Sequence, residues 1–198
     1  VGIRVKERLS MSYLCTNILS EEAIQEAKDH FYAHQDDVQQ FHQDYNLFDV
    51  ERLDLKDSLG FLQDLKDFSR LDRFTGSYIL KYTAGSFARV HADNNSAMTI
   101  VTQLETSDLV GGLPIIRKPY TYDHRPAHKI ARRHKEEQLK PPNGDPIVFD
   151  YILEMEDGKS VVYDDSLYHG VSYVHSGHRI VLVTWFQREK EGEESESN

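Results

Sequence analysis

From residue 77 to residue 186 the chain is a succession of short segments rich in β-branched and aromatic residues. They are residues 77–83 (SYILKYT), 87–91, 98–104 (MTIVTQL), 114–116, 160–163, 170–174 and 179–186 (RIVLVTWF). Turn formers such as Ala84-Gly85, Gly111-Gly112, Asp157-Gly158 and Ser176-Gly177 separate them, which is the texture of strands joined by tight connections. No long helical crossovers alternate with these segments, which argues against a parallel α/β sheet. The economical solution is an α+β fold with a double-stranded β-helix (jelly-roll) core backed by N-terminal helices.

The front of the chain reads as helical. Ser20 followed by Glu21 and Glu22 has the form of a helix start, a capping hydroxyl with acids in the first turn. Ala23, Ile24, Ala27, Phe31, Val38, Phe41 and Tyr45 recur at roughly helical spacing, which predicts one helix over residues 23–45, or two with a break near 34–37. A second stripe through Leu55, Leu59, Leu62, Leu65 and Phe68 predicts a helix over 54–69, capped by Asp54 or Asp57 and weakened at Gly60. The expected layout is one domain: helical support over 1–74, jelly-roll core over 75–187, and an acidic, disordered tail over 188–198. Residues 117–145 are the least regular part, with a helix expected at 127–138.

Composition narrows the classes. The formal charge of −10 over 198 residues disfavours nucleic acid and anionic lipid as partners, because binding phosphate runs on Lys and Arg. No stretch approaches the ~20 apolar residues a membrane-spanning helix needs. The single cysteine, Cys15, cannot form an internal disulfide and reads as a buried structural thiol in a reducing intracellular compartment such as the cytoplasm. Residues 1–10 lack a signal-type apolar run and an initiator Met, so a targeting segment lost from a trimmed chain stays open. Residues 117–140 are locally basic, which reads either as a solvated helix and loop or as a contact for an anionic or peptide partner.

His91-Ala92-Asp93 places two metal-type ligands two positions apart, on one face if the chain is extended there. His169 follows much later, just before another strand. Two histidines and one carboxylate on three corners of a metal leave the opposite positions open, which suits non-heme Fe(II). A structural zinc site would be closed and usually use cysteines. Arg179 lies ten residues after His169 and opens the most apolar segment of the chain. A buried guanidinium without a partner is costly, and Arg pairs well with carboxylates. A carboxylate-bearing cofactor supplies that partner.

In these features the chain resembles the prolyl 4-hydroxylase-like branch of the 2-oxoglutarate/Fe(II)-dependent dioxygenases. The resemblance runs from about Tyr78 to Gln187. It includes Tyr82 nine residues before His91, Gly111-Gly112 ahead of a short strand, Asp157-Gly158-Lys159 leading into Val161-Val162-Tyr163, His169-Gly170-Val171, Ser176 to Arg179, and Trp185. It implies that His91, Asp93 and His169 bind Fe(II). It implies that Arg179, helped by Tyr82, binds the distal carboxylate of 2-oxoglutarate, with Thr99 and Gln103 facing the same cavity. Some relatives carry a Tyr where Gln103 falls. The implied reaction couples oxidative decarboxylation of 2-oxoglutarate by dioxygen to C–H hydroxylation, with ascorbate dependence as a family habit. The implied substrate is a prolyl residue in a peptide or protein. The charge contrast of the basic segment, with Tyr120 and Tyr122, separately suggests a contact for an acidic or extended peptide. A free amino acid or other small metabolite is the alternative, and a non-catalytic binding module a third reading. His124, His128 and His134 read as a solvated helix or substrate-facing flap, His30, His34 and His42 as the outer face of the first helix, and His175 and His178 as exposed turn residues. Asp164 and Asp165 read as loop acids. Oligomeric state has no signature in the chain.

Overall fold

The computed structural model describes residues 13–44, 46–70, 73–93, 96–117, 151–153 and 155–187. Among these the elements are β1 (Tyr13–Thr16), α1 (Glu21–Ala33), β2 (Gln39–Asp44), β3 (Leu47–Asp54), α2 (Gln63–Ser69), β4 (Arg73–His91), β5 (Met98–Gly111), β6 (Pro114–Arg117), β7 (Tyr151–Ile152), β8 (Ser160–Tyr163), β9 (Tyr168–Val171) and β10 (Val174–Gln187). All pairings are antiparallel. The strand order is β1-β8-β5-β10-β4-β9-β6-β7, with β3 also on β4 and β2 on β3.

β4 rolls this sheet up. Its first half pairs with β10 and β3, and near its end Ala88 and His91 pair with Val171 and His169 of β9. Between the halves Gly85 adopts φ 101°, a conformation that glycine enters without a Cβ clash, and the Ser86 hydroxyl accepts the Thr83 N–H at 2.9 Å. The strand therefore leaves one wall and enters the facing one. The result is the jelly roll that the turn-punctuated sequence predicts.

β10 lies between β4 and β5 at the centre of one wall and is buried on both faces. Ile180, Leu182 and Phe186 pack outward with Ala27, Phe31, Leu62 and Leu65 of the helical layer. Arg179, Val181, Val183 and Trp185 line the interior cavity. Two-sided burial explains why this segment reads as an almost unbroken apolar run. In α1 the Ser20 hydroxyl accepts the Ala23 N–H at 3.1 Å, as its capping position predicts. Ala23, Ala27 and Phe31 form the buried stripe. Phe31→Ala should cost about 3–5 kcal/mol of stability in urea unfolding, and a loss under about 1 kcal/mol would mean that α1 is not part of the main core.

Several expectations are corrected. The first helix ends at Ala33, Gln35–Asp37 make a 3-10 turn, and residues 39–44 form β2 instead of continuing the helix. Val38 and Phe41 fit a helical stripe by spacing, but pairing of Phe41 with Val50 across a hairpin wins; tertiary context overrides a short local pattern. His42 is thus an exposed strand residue. The His30 ring lies 4.1 Å from that of His34 and 6.0 Å from Phe61, so His30 faces a neighbouring element. Of the helix predicted over 54–69 only Gln63–Ser69 is α-helical, behind a 3-10 turn at Gly60–Leu62. Asp54 ends β3, Asp57 pairs with Lys66, and neither caps α2. Cys15 is exposed on β1, which among the described residues pairs with β8 alone. The basic segment with His124, His128 and His134, the helix expected at 127–138, and the acidic tail lie outside the described residues. No helix among the described residues is long and apolar enough to cross a membrane.

Glu105 of β5 fastens α1 to the sheet. It accepts the Tyr32 hydroxyl at 2.6 Å and meets Lys28 at 2.9 Å and His178 at 3.0 Å. His178 is therefore half-buried and paired, not the exposed turn residue expected. Burial would raise the Glu105 carboxyl, but Tyr32, His178 and Lys28 outweigh it and hold it at about 2, against an ordinary 4.5. A carboxylate lowered by folding stabilises fully above its unfolded value and loses that contribution as the pH falls through the folded one. Glu105→Gln should therefore remove a component of acid destabilisation between pH 4.5 and about 2; superimposable acid-unfolding curves would count against the assignment.

Candidate active site

The end of β4 and the middle of β9 are cross-strand neighbours, and this places His91 opposite His169 with ring centroids 4.5 Å apart. Asp93 follows two residues after His91, just past the strand. Its Oδ1 lies 3.5 Å from His91 Nε2 and its Oδ2 3.7 Å from His169 Nε2. One donor atom from each residue falls within 4.8 Å of the others, the one such group among the described residues. The sequence-predicted triad is thus brought together.

The surroundings orient these ligands. His91 Nδ1 meets the Arg89 carbonyl at 2.7 Å, and His169 Nδ1 meets the Leu167 carbonyl at 3.1 Å. A carbonyl can only accept, so each Nδ1 carries the proton and each Nε2 is free to bind a metal. Asp93 Oδ2 accepts the Thr99 hydroxyl at 2.7 Å and the Trp185 indole N–H at 3.0 Å, which leaves Oδ1 as the free donor. Burial alone would raise the Asp93 carboxyl, yet His91, His169, Thr99 and Trp185 hold it well below the usual carboxylate range. Burial pulls His169 down to about 4 despite Asp93. Burial would also lower His91, but Asp93 and the Arg89 carbonyl keep it above its ordinary value. An ionised carboxylate beside imidazoles whose Nε2 atoms are free suits a divalent cation. Three N/O ligands on one side fit a metal with open positions better than a closed structural site.

Arg179 lies in the same cavity and is 1% exposed. One terminal nitrogen donates to the Gly112 carbonyl at 2.9 Å. Its Nε is the one buried side-chain polar atom among the described residues with no hydrogen-bond partner. Burial lowers the guanidinium to about 10, opposed by Tyr82 and Tyr163, so it stays cationic at neutral pH. Tyr82, its cross-strand partner, places its ring 5.9 Å from the Arg179 Cζ. A buried cation with an unused donor is unfavourable by itself and complements an anion entering the cavity.

The rest of the lining is apolar or phenolic: Leu80, Val101, Ile116 and Val161, with Tyr78, Tyr82 and Tyr163. Thr99 is buried and bound to Asp93. Gln103 does not line the cavity; its amide donates to the Glu105 and Ile180 carbonyls at 2.9 and 3.2 Å. Sequence reasoning missed the indole bond from Trp185 to Asp93, the Tyr163 ring 4.4 Å from that of His169, and Tyr78 edge-on to Trp185 at 4.5 Å. Alternation from Arg179 through Val181 and Val183 puts Trp185 on the interior face, and that signal was available. Asp164 accepts the Ser166 N–H within its loop, as a loop acid does.

No model of a known protein family matches the sequence, and no curated protein matches it. Solved structures do match. A Pseudomonas putida prolyl-4-hydroxylase is similar with a TM-score of 0.62 at 13% identity, over 94% of this chain and 97% of that one. HygX from Streptomyces hygroscopicus, with nickel and 2-oxoglutarate bound, gives 0.60 at 11% identity, over 95% and 88%. A Trichoplax adhaerens prolyl hydroxylase, in complex with a hypoxia inducible factor peptide fragment, gives 0.56 at 13%, over 92% and 87%. The chain has the jelly-roll fold of the prolyl-4-hydroxylases and other 2OG-Fe(II) oxygenases, with a His-Asp-His group inside it.

Proposed function

We propose that the protein is an Fe(II)- and 2-oxoglutarate-dependent oxygenase that hydroxylates a prolyl residue in a peptide or protein. One observation carries the cofactor assignment: the buried Arg179, with its unpartnered Nε, opens into the same cavity as the His91-Asp93-His169 group. His91, Asp93 and His169 would hold the iron through Nε2, Oδ1 and Nε2. Arg179 would bind the far carboxylate of 2-oxoglutarate, with the Tyr82 hydroxyl beside it. Thr99 and Trp185 hold Asp93 through Oδ2, which would leave Oδ1 for the metal. Gln103, engaged with backbone carbonyls, steadies the strand beside the pocket.

When bound, iron and 2-oxoglutarate supply a dioxygen-dependent oxidation strong enough for an unactivated C–H, with succinate and carbon dioxide as co-products. The chain supplies positioning and dryness. Leu80, Val101, Ile116, Val161, Val181 and Val183 wall the cavity and keep stray water from the reacting centre. Among the described residues the lining offers one carboxylate, Asp93, and one guanidinium, Arg179, both assigned above to the cofactors. An uncharged ring from a peptide suits what remains better than a zwitterionic free amino acid, and the peptide complex of a similar fold agrees with this.

The test is a substrate panel: proline-containing peptides with blocked termini against free L-proline, with Fe(II), 2-oxoglutarate, ascorbate and air. The expected result is hydroxyproline in peptides by mass spectrometry. Hydroxylation of free proline alone would move the assignment to small metabolites.

A further inference from the structure

We infer that Arg52 and Tyr78 are positioning residues for the metal carboxylate, acting through Trp185. The inference rests on the metal-site reading above. Asp93 Oδ2 takes the Trp185 N–H at 3.0 Å and the Thr99 hydroxyl at 2.7 Å, so the set of the indole helps decide which Asp93 oxygen is left for a metal. The indole is only partly buried. Its cross-strand neighbour on β4 is Gly76, and a Cβ placed there would come no nearer than 3.9 Å to the ring. That flank therefore offers no side chain to hold the ring.

Tyr78 supplies the wall. It meets Trp185 edge to face, with centroids 4.5 Å apart and planes at 74°, a favoured aromatic geometry. The Arg52 guanidinium lies over Tyr78 at 4.5 Å and is 5.4 Å from Phe41, within cation–π range of both rings. Arg52 is itself fixed by Asp54, which accepts from its Nε at 2.8 Å and from a terminal nitrogen at 2.6 Å. The contacts thus run Asp54, Arg52, Tyr78, Trp185, Asp93, from the β2–β3 hairpin to the ligand. This gives a purpose to a hairpin that contributes no ligand of its own: it extends the wall beyond β4 and braces the indole through Tyr78.

A brace and a general stability contact make different predictions. Fe(II) affinity is measured anaerobically by competition with a chromogenic chelator, on the full chain and on R52M, R52K, Y78F, Y78L, W185F and the Y78L/W185F double variant. Outer partners of metal ligands are typically worth about 10–100-fold in affinity. W185F should fall in that range, and Y78L and R52M, one and two contacts further out, at about three- to tenfold. Y78F keeps the ring and should bind like the native chain; R52K should recover part of the R52M loss. The decisive readout is non-additivity, because groups acting in series share one effect: with the indole donor already gone, Y78L should cost no further affinity. The one tryptophan of the chain also reports directly, through loss of its near-ultraviolet circular dichroism in R52M and Y78L. Native affinity in both R52M and Y78L, or a full additional loss in the double variant, would overturn the brace. Should Y78L fail to fold, R52M with R52K, at a partly exposed position, decides alone. A native chain that binds no Fe(II), or an Asp93→Ala variant that binds it equally well, would instead overturn the metal-site reading.

Discussion

Arg179→Met is expected to weaken 2-oxoglutarate binding at least about 30-fold while leaving the unliganded fold as stable as before, or more stable. Truncating one partner of a buried, hydrogen-bonded charge pair costs about 2–5 kcal/mol, which sets the first figure. The second effect follows from the state of Arg179 without its ligand. It is buried, cationic, bonded once to Gly112, and has an Nε with no partner. Replacing such a group with an apolar side chain of similar length removes a desolvation cost. An arginine kept for the fold would behave in the opposite way: its loss would lower the melting temperature and leave ligand affinity alone. Melting curves with and without 2-oxoglutarate separate the two. The native chain should gain stability with ligand concentration, and the variant should not.

Asp93→Ala should abolish metal-dependent stabilisation and lower Fe(II) affinity by more than the about 10–100-fold that outer-shell partners typically cost. It should also destabilise the metal-free chain. The carboxylate accepts from Thr99 and Trp185; the Thr99 hydroxyl still has Ser96 Oγ at 3.2 Å, but the indole N–H loses its acceptor, a loss of up to about 1–3 kcal/mol. Asp93→Asn, which keeps an oxygen for those donors, should recover much of the stability and little of the metal affinity. Calorimetry in chelator and in Fe(II) under nitrogen reads both effects. Equal affinity in Asp93→Ala and the native chain would place the metal elsewhere.

The parts of this site that could be read in the sequence rest on local geometry. His91 and Asp93 are two residues apart at a strand end, and Arg179 opens an apolar strand where a charge needs a reason. The jelly roll was legible because β-rich segments follow one another with glycines between them, although Gly85 and Gly177 fall inside the continuous strands β4 and β10 and not in separating turns. What could not be read depends on two strands at once. The β2–β3 hairpin hides in a stretch where Val38 and Phe41 also fit a helix, and only pairing with Val50 and β4 decides the matter. Gln103 alternates with Thr99 and so seemed bound for the cavity. The β5–β10 pairing, however, carries an irregularity between Ile180 and Val181, and the Gln103 amide takes the Ile180 carbonyl beside it. Such bulges disrupt the ladder locally and have no signature in one strand alone. The Asp93 to Trp185 bond joins residues 92 positions apart, beyond any periodicity.

In the proposed function one cavity holds iron on His91, Asp93 and His169 and a keto acid on Arg179. This is tested most directly by succinate release from 2-oxoglutarate under air, with Fe(II) and a blocked proline-containing peptide, for the native chain, Asp93→Ala and Arg179→Met. Metal-dependent succinate is expected from the native chain, none above background from Asp93→Ala, and recovery in Arg179→Met only at much higher 2-oxoglutarate. Succinate formation that is unchanged in both variants would contradict it.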